Sequence, residues 1–479
     1  SMQAALDVSW RRLTSEQKLA FRELTVFRGG FTRPAALQVA RATLPLLVTL
    51  VNKSWLSYDR QSDRYLIHEL LRQYGAGKLS ADPAHKEEVR DRHSAYFCGY
   101  LQKREADWYG PRQKEAASAV RDEIENIQRA WRRAASQSDS VLLAQGMHSL
   151  CRYYLWDGRF IDGQHACHLV GDGLSKSFAE QVIDARLLAL WALAFAWESE
   201  FVRDLAQKEA LLAQSQGLLD RATSAGRDTK LEQAFIFLRM AYAAGRRDYD
   251  EAIHVANRGL DLFRELGVRW GEAELLGLLG NIYVFRGAYD RANDHLQNSL
   301  EIRQQLDDTQ GIAQTMISLA FCARDQGNFE EAEKLHRQSL HLFQRLENRR
   351  NEKIALRLLA HSLSWAGKYQ SAREAAWQAL EMDRDLGQQP NPVALDSLAM
   401  ATIHLGHYTE AMDITRESLE KTSKIGQMTL LGYPLVLMGY IAFVDGDLVG
   451  ARRYLLESSN VFAGLEHLHQ AIPQTILSY

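Results

Sequence analysis

Proline is nearly missing from the middle of this 479-residue chain: none of its eight prolines falls between Pro111 and Pro390. Proline removes a backbone donor and breaks helix interiors, so a long helical array demands such a gap. Cysteine is scarce as well. Cys98, Cys151, Cys167 and Cys322 are scattered without a CxxC pair. That argues against a disulfide framework and for free thiols in a reducing cytoplasm, each a small buried apolar residue. No apolar run approaches the roughly 20 residues a membrane helix needs, and the N-terminus carries no signal-peptide pattern. A formal net charge of −3 exerts no global pull toward nucleic acid or anionic lipid.

Reactive motifs are missing too. Gly158-Arg-Phe-Ile-Asp-Gly163 has the glycine spacing of a phosphate-binding loop but continues Gln164-His165, and Gly77-Lys78 is followed by Leu79 and lacks the upstream glycine. His68-Glu-Leu-Leu-Arg72 fails the HExxH zinc pattern at its last position. His165 and His168, three apart on a helix, need further ligands to hold a metal and are read as surface residues. No GxSxG elbow or Cys–His nucleophile site stands out. The chain is read as non-enzymatic, with no catalytic residue and no metal or cofactor of its own.

What is present is a repeat. Gly287-Ala-Tyr-Asp-Arg-Ala292, Gly327-Asn-Phe-Glu-Glu-Ala332, Gly367-Lys-Tyr-Gln-Ser-Ala372, Gly406-His-Tyr-Thr-Glu-Ala411 and Gly446-Asp-Leu-Val-Gly-Ala451 recur with their glycines 40, 40, 39 and 40 residues apart. Ser299, Ser339, Ala379, Ser418 and Ser458 recur in step, as do Leu300, Leu340, Leu380 and Leu419, and Leu306, Leu346, Leu386, Ile425 and Leu465. Each unit reads as two amphipathic helices joined at the glycine, where a left-handed backbone costs little. Small residues (Gly280, Ala320, Ala360, Ala399, Gly439) allow close helix approach, and stability comes from stacking of neighbouring units. Degenerate copies upstream, with turns at Gly158, Ser199 and Gly245, bring the array to about eight units. The pattern resembles the tetratricopeptide repeat (TPR) in a long version of about 40 residues.

The first 80 residues do not follow the repeat. Thr14-Ser-Glu-Gln17 is a capping box opening a helix to Leu24, Pro34 starts another, and Leu44 to Asn52 reads as a third. Trp55–Tyr58 and Arg64–Ile67 alternate around a polar turn as a β-hairpin, and a helix follows from His68 to Lys78. This order makes a winged-helix module. Residues 81–138 read as a charged helical arm, broken at Gly110-Pro111.

The runs Val26-Phe-Arg-Gly-Gly-Phe-Thr32, Leu46-Leu-Val-Thr-Leu-Val-Asn-Lys-Ser54 and Tyr65-Leu-Ile-His-Glu-Leu-Leu-Arg-Gln-Tyr74 resemble the winged-helix domain of STAND signal-transduction ATPases, a family that includes the maltose-regulon-activator and NB-ARC types. In that family a Met-His-Asp motif sets its histidine against the nucleotide. Ile67-His68-Glu69 occupies the matching position, so the resemblance carries a nucleotide-sensing role to His68 alone. It also implies an ATPase core upstream that would hold ATP or ADP.

The architecture expected is therefore all-α: a winged helix with a small hairpin (1–80), an arm (81–138) and a right-handed superhelical TPR-like solenoid (139–479). In such a solenoid the first helix of each repeat lines the concave surface. Counting back from each turn places Arg239, Tyr242, Asn281, Phe285, Phe321, Arg324, Arg357, His361, Trp365, Asp396, Met400, His404 and Tyr440 on that face. Arg, aromatic and amide groups converging there suit an inducer: a peptide, a protein or a small molecule. The resemblance implies a sensor that restrains the chain's own nucleotide-binding domain, in a cytoplasmic protein, monomeric as the isolated chain. Two alternatives stand beside it. The N-terminal region has roughly twice as many basic as acidic residues, as a DNA reader would need, although the resemblance favours docking on the nucleotide domain. A TPR scaffold without any nucleotide switch is the other.

Overall fold

Capping residues and apolar spacing set the elements of this computed structural model, which describes residues 2–178, 184–385, 387–425, 428–463 and 473–474. Leu386 and Leu465 of the periodic leucine series lie outside the described residues. The chain divides into two compact units, Ser1–Ala243 and Ala244–Tyr479.

The first unit begins with α1 (Met2–Arg11), which the sequence pattern did not announce, then α2 (Ser15–Leu24), α3 (Arg33–Ala40) and α4 (Leu44–Asn52). The capping box at Thr14 and Gln17 closes in both directions, and Pro34 occupies the first turn of α3. Strands β1 (Ser57–Asp59) and β2 (Arg64–Leu66) pair antiparallel, with Tyr58 opposite Tyr65, and α5 (Glu69–Ser80) follows. Next come α6 (Pro83–Gln102), a 3-10 turn (Ala106–Tyr109), α7 (Gln113–Asp122), α8 (Ile124–Ser136), α9 (Ser140–Asp157), α10 (Phe160–Phe178), α11 (Ala185–Phe201), α12 (Leu205–Ser224) and α13 (Lys230–Ala244). Helix α11 runs straight through Ser199 to Phe201, so the turn expected at Ser199 falls instead after Phe201, where Asp204 caps α12.

A buried polar network ties the hairpin to α8. Arg64 forks onto Glu123, Nη1 to Oε1 at 2.6 Å and Nη2 to Oε2 at 3.0 Å. Asn126 Nδ2 donates to the same Glu123 Oε2 (2.8 Å) and to Gly30 O (3.0 Å), while its Oδ1 accepts from Arg28 N (2.7 Å). Gly29 and Gly30 both have positive φ, and a Cβ on Gly30 would meet Leu66 at 2.6 Å and Tyr65 O at 2.9 Å. Only glycine fits that turn.

The second unit alternates first and second helices: α14 (Tyr249–Glu265), α15 (Arg269–Phe285), α16 (Tyr289–Gln305), α17 (Thr309–Asp325), α18 (Phe329–Arg345), α19 (Arg349–Trp365), α20 (Tyr369–Asp385), α21 (Pro392–His404), α22 (Tyr408–Ile425), α23 (Met428–Val444) and α24 (Leu448–Ala463). The five periodic turn glycines all have positive φ, between 71° and 85°. This is a near-all-α, TPR-like solenoid whose only sheet, among the described residues, is the two-stranded hairpin of the first unit. Helices α15, α17, α19, α21 and α23 touch successively, whereas no contact of comparable extent joins α16 to α18 or α18 to α20. The first helices therefore form the inner layer of the curve.

The periodic serines share one contact. Ser299, Ser339, Ser418 and Ser458 on second helices donate to the carbonyls of Ala273, Ala313, Pro392 and Gly432 on the first helix of the same repeat. Each is fully buried, and the donor always lies 26 residues beyond its acceptor. Replacing Ser339 with Ala removes the second hydrogen bond on the Ala313 carbonyl, which the helix ladder still satisfies, and is expected to cost about 0.5–1.5 kcal/mol. Urea unfolding checks this; an unchanged midpoint would mean that the bond contributes nothing net.

Among the described residues no single helix is long and apolar enough to cross a membrane.

Candidate ligand groove

Within the second unit, three successive turns of each inner helix look in different directions, and this sorts the residues expected on the concave face. Asn281, Phe321, His361, Met400 and Tyr440 occupy equivalent positions and all are partly exposed. The Asn281 amide makes no hydrogen bond among the described residues. Phe321 meets the buried His336 ring edge-on at 5.7 Å, and the Arg324 guanidinium lies 5.0 Å over the Phe321 ring while pairing with Asp325. Trp365 Nε1 donates to His361 Nε2 at 3.1 Å. Tyr440 packs on Ile403, Ala411 and Ile441.

Phe285 and His404 sit at the turn end of their helices. Phe285 is 59% exposed and stacks on Tyr249 at 6.3 Å. His404 lies flat on Tyr369 at 4.2 Å, and partial burial pulls its pKa below the usual histidine value. They form a rim rather than the floor.

Arg357 and Asp396 are placed differently from the expectation. Both stand at the repeat position of Gly277, whose missing side chain would face Ser299. They are turned toward the second helix of their own repeat. Asp396 Oδ1 lies 2.6 Å from Ser418 Oγ, and burial raises its pKa to about 7 against the opposing effect of that hydrogen bond. Arg357 is mostly buried, its Nε finds no partner among the described residues, and desolvation lowers its pKa while Asp383 raises it.

The residue that sequence reasoning missed is Tyr433. It begins the inner face of α23, one helical stretch before the window counted back from Gly446. Its ring meets His361, two inner helices away, edge-on at 6.4 Å. It also lies within electrostatic reach of Arg324, Asp325 and Asp396, and burial pushes its phenol pKa well up. Groups from α17, α19, α21 and α23 thus converge on one place. His336 was missed as well: it is fully buried with neither ring nitrogen bonded among the described residues, and desolvation drops its pKa to about 3, so it stays neutral.

Arg239 and Tyr242 belong to the first unit, Arg239 in a separate cluster. Arg239 is buried, pairs with Glu200 at 3.0 Å, and lies over the rings of Phe235 (4.6 Å) and Trp197 (5.3 Å). His148 packs edge-on against both rings, and burial lowers its pKa to about 4 with Arg152 and Arg239 adding to the effect. Tyr242 is about one-third exposed. His68 caps α5, its Nδ1 accepting from Leu70 N at 3.3 Å, with its ring exposed.

Stacked helical hairpins with an inner layer of polar and aromatic groups define a TPR-class solenoid. The tetratricopeptide repeat family matches residues 275–310 and 311–385. Proteins of Mycobacterium bovis and Mycobacterium tuberculosis named as HTH-type transcriptional regulators are 23% identical over 503 aligned residues, covering 99% of this chain and 54% of theirs. The chain thus spans about half the length of these curated relatives. A Rap protein complexed with competence and sporulation factor shares the fold, with TM-score 0.55 and 14% identity over 77% of this chain and 99% of that one. A STAND protein with a tetratricopeptide repeat sensor from Pyrococcus horikoshii aligns with TM-score 0.47 and 15% identity, over 89% of this chain and 66% of that one.

Proposed function

We propose that this chain is the inducer-sensing and autoinhibitory region of a STAND-type regulator of transcription. In this reading residues 1–80 are the winged helix, 81–138 the arm and 139–479 the sensor. The observation that supports it is the convergence of Arg324, His361 and Tyr433 from separate repeats on the inner layer of the second unit. Aromatic faces and a guanidinium held by Asp325 and the Phe321 ring offer apolar area with charge-assisted hydrogen bonds. The Rap protein of similar fold, solved with competence and sporulation factor, supports a partner held by this fold; the mycobacterial relatives supply the link to transcription.

A sensor works by differential affinity. The ligand must bind the released state more tightly than the restrained one, or the population does not move. ATP or ADP in an upstream domain would supply the other half of the switch. In this chain His68 is the residue that fits such a contact: its Nδ1 accepts from Leu70 N, which puts the proton on Nε2 of an exposed ring, where it can donate to a phosphate oxygen.

Native mass spectrometry after exposure to a lysate of the host tests the groove, comparing wild type with His361→Ala/Trp365→Ala. Wild type is expected to carry a bound species that the double variant retains about tenfold less well. Equal loading of both folded proteins, or bare wild type, would sink the groove reading.

A further inference from the structure

The first unit contains a second, differently built site. A cleft of about 430 Å³ opens between the Arg28–Gly30 turn and α8, lined by Arg28, Glu125, Gln128, Arg129 and Arg132. That volume falls in the range of small-molecule sites. Residues 125, 128, 129 and 132 share one face of α8 because they are spaced at i, i+3, i+4 and i+7. A smaller cavity of about 150 Å³ adjoins it through Arg28 and Glu125 and reaches Arg72 and Glu69.

Charge in this cleft does not balance. Glu69 already forks onto Arg72, and Arg28 reaches it only at 3.6 Å. Glu87 is taken by Arg90 and Arg133. Arg129 has no hydrogen bond or ion pair among the described residues, and Arg132 reaches only the Gln128 carbonyl. The one carboxylate left on the cleft wall is Glu125, which forms no ion pair among the described residues. Burial, reinforced by Arg28, Arg90, Arg72 and Arg132, pulls the Arg129 pKa down to about 10, a sign that like charges are held together there. The turn that carries Arg28 is fixed by the buried Arg64–Glu123–Asn126 network, so the cations cannot simply spread apart.

We propose that this cleft binds a small oligophosphate anion, a chain of two or three phosphates either free or carried by a nucleotide, held by Arg28, Arg129 and Arg132. Guanidinium forks match phosphate oxygens in pairs. Three of them facing one cleft, with Glu125 its one carboxylate, suit several adjacent negative charges better than a single carboxylate. The site is independent of the groove in the second unit.

Calorimetric titration of the whole chain with tripolyphosphate and, separately, with ADP tests this. Both are expected to bind, to compete with each other, and to lose about tenfold or more in affinity in Arg129→Gln/Arg132→Gln. Glu125→Gln is expected to tighten both, because it removes the one repulsive charge. Tighter ADP than tripolyphosphate assigns the ligand to nucleotides, and the reverse assigns it to free phosphate chains. Arg416→Gln, in an exposed pair of the second unit, is the control for bulk charge and leaves both affinities unchanged. Arg129→Gln without ligand should melt at or above wild type, since it relieves repulsion. Absence of binding at low ionic strength, an equal loss in the control, or displacement of both probes by random duplex DNA would each overturn the proposal, the last in favour of a nucleic-acid surface.

Discussion

At pH 8 Asp396→Asn is expected to be more stable than wild type by about 2–4 kcal/mol, an advantage that shrinks to about half or less at pH 5. Burial raises the Asp396 pKa to about 7 in the folded chain, above its unfolded value. The stability it contributes is then fully present below the unfolded pKa and is lost as pH rises through 7. Asparagine keeps the shape and a donor toward Ser418 but cannot ionise. Urea unfolding of both proteins at pH 5 and pH 8 measures the effect as a difference between them. The difference matters because His93, His148 and His336, held neutral by burial with pKa values of about 3, 4 and 3, push wild type the opposite way. They make the folded state less stable as pH falls through the ordinary histidine range. A pH-independent gap between the two proteins would mean that Asp396 titrates normally.

Glu123→Ala is expected to destabilise the first unit by about 3–5 kcal/mol, because it leaves the Arg64 guanidinium buried without its counter-ion. Both side chains are nearly inaccessible, at 10% for Arg64 and 3% for Glu123. The loss also releases Asn126 and the Gly29–Gly30 carbonyls that Arg64 holds. Hydrogen exchange should therefore show protection falling together at Tyr65, Phe31 and the start of α8. Replacing both partners by apolar residues, as in Arg64→Met/Glu123→Leu, is expected to recover most of the stability. If the single substitution costs less than an exposed pair would, the network is not what joins hairpin to arm.

The repeat was legible because its turn glycines, its serines and its leucines obey one spacing, and each has a single physical task. The order of helices and hairpin before it was legible from Thr14, Pro34 and the alternation around Asp59–Asp63. The turn assigned to Ser199 was not, since a helix carrying Leu188, Leu193 and Trp197 in its core has no reason to stop at a serine. Site residues were legible only as a helix face. Arg357 and Asp396 sit one turn from His361 and Met400 on the same helices, yet that turn faces the second helix instead of the open side. Tyr433 escaped notice because it reaches His361 across two repeats, a distance set by the curvature of the stack and not by any local spacing. Glu123 matters through Arg64, 59 residues away, and Arg129 through having no ion pair among the described residues, neither of which a linear pattern expresses.

The serine bonds have a consequence for the length of the array. Donor and acceptor belong to the same forty-residue segment, so duplicating or deleting one segment creates no orphan in the core. Arg303 with Asp308 and Ser364 with the Ser397 carbonyl cross from one segment to the next in buried positions, but other crossing pairs are exposed or half-exposed: Arg286 with Asp250, Lys368 with Glu333, Arg373 with Glu410. Such pairs contribute little each and tolerate a new neighbour. Lengthening or shortening the solenoid by a whole segment therefore leaves every serine bond intact, while the groove it encloses changes its reach by one helix at a time.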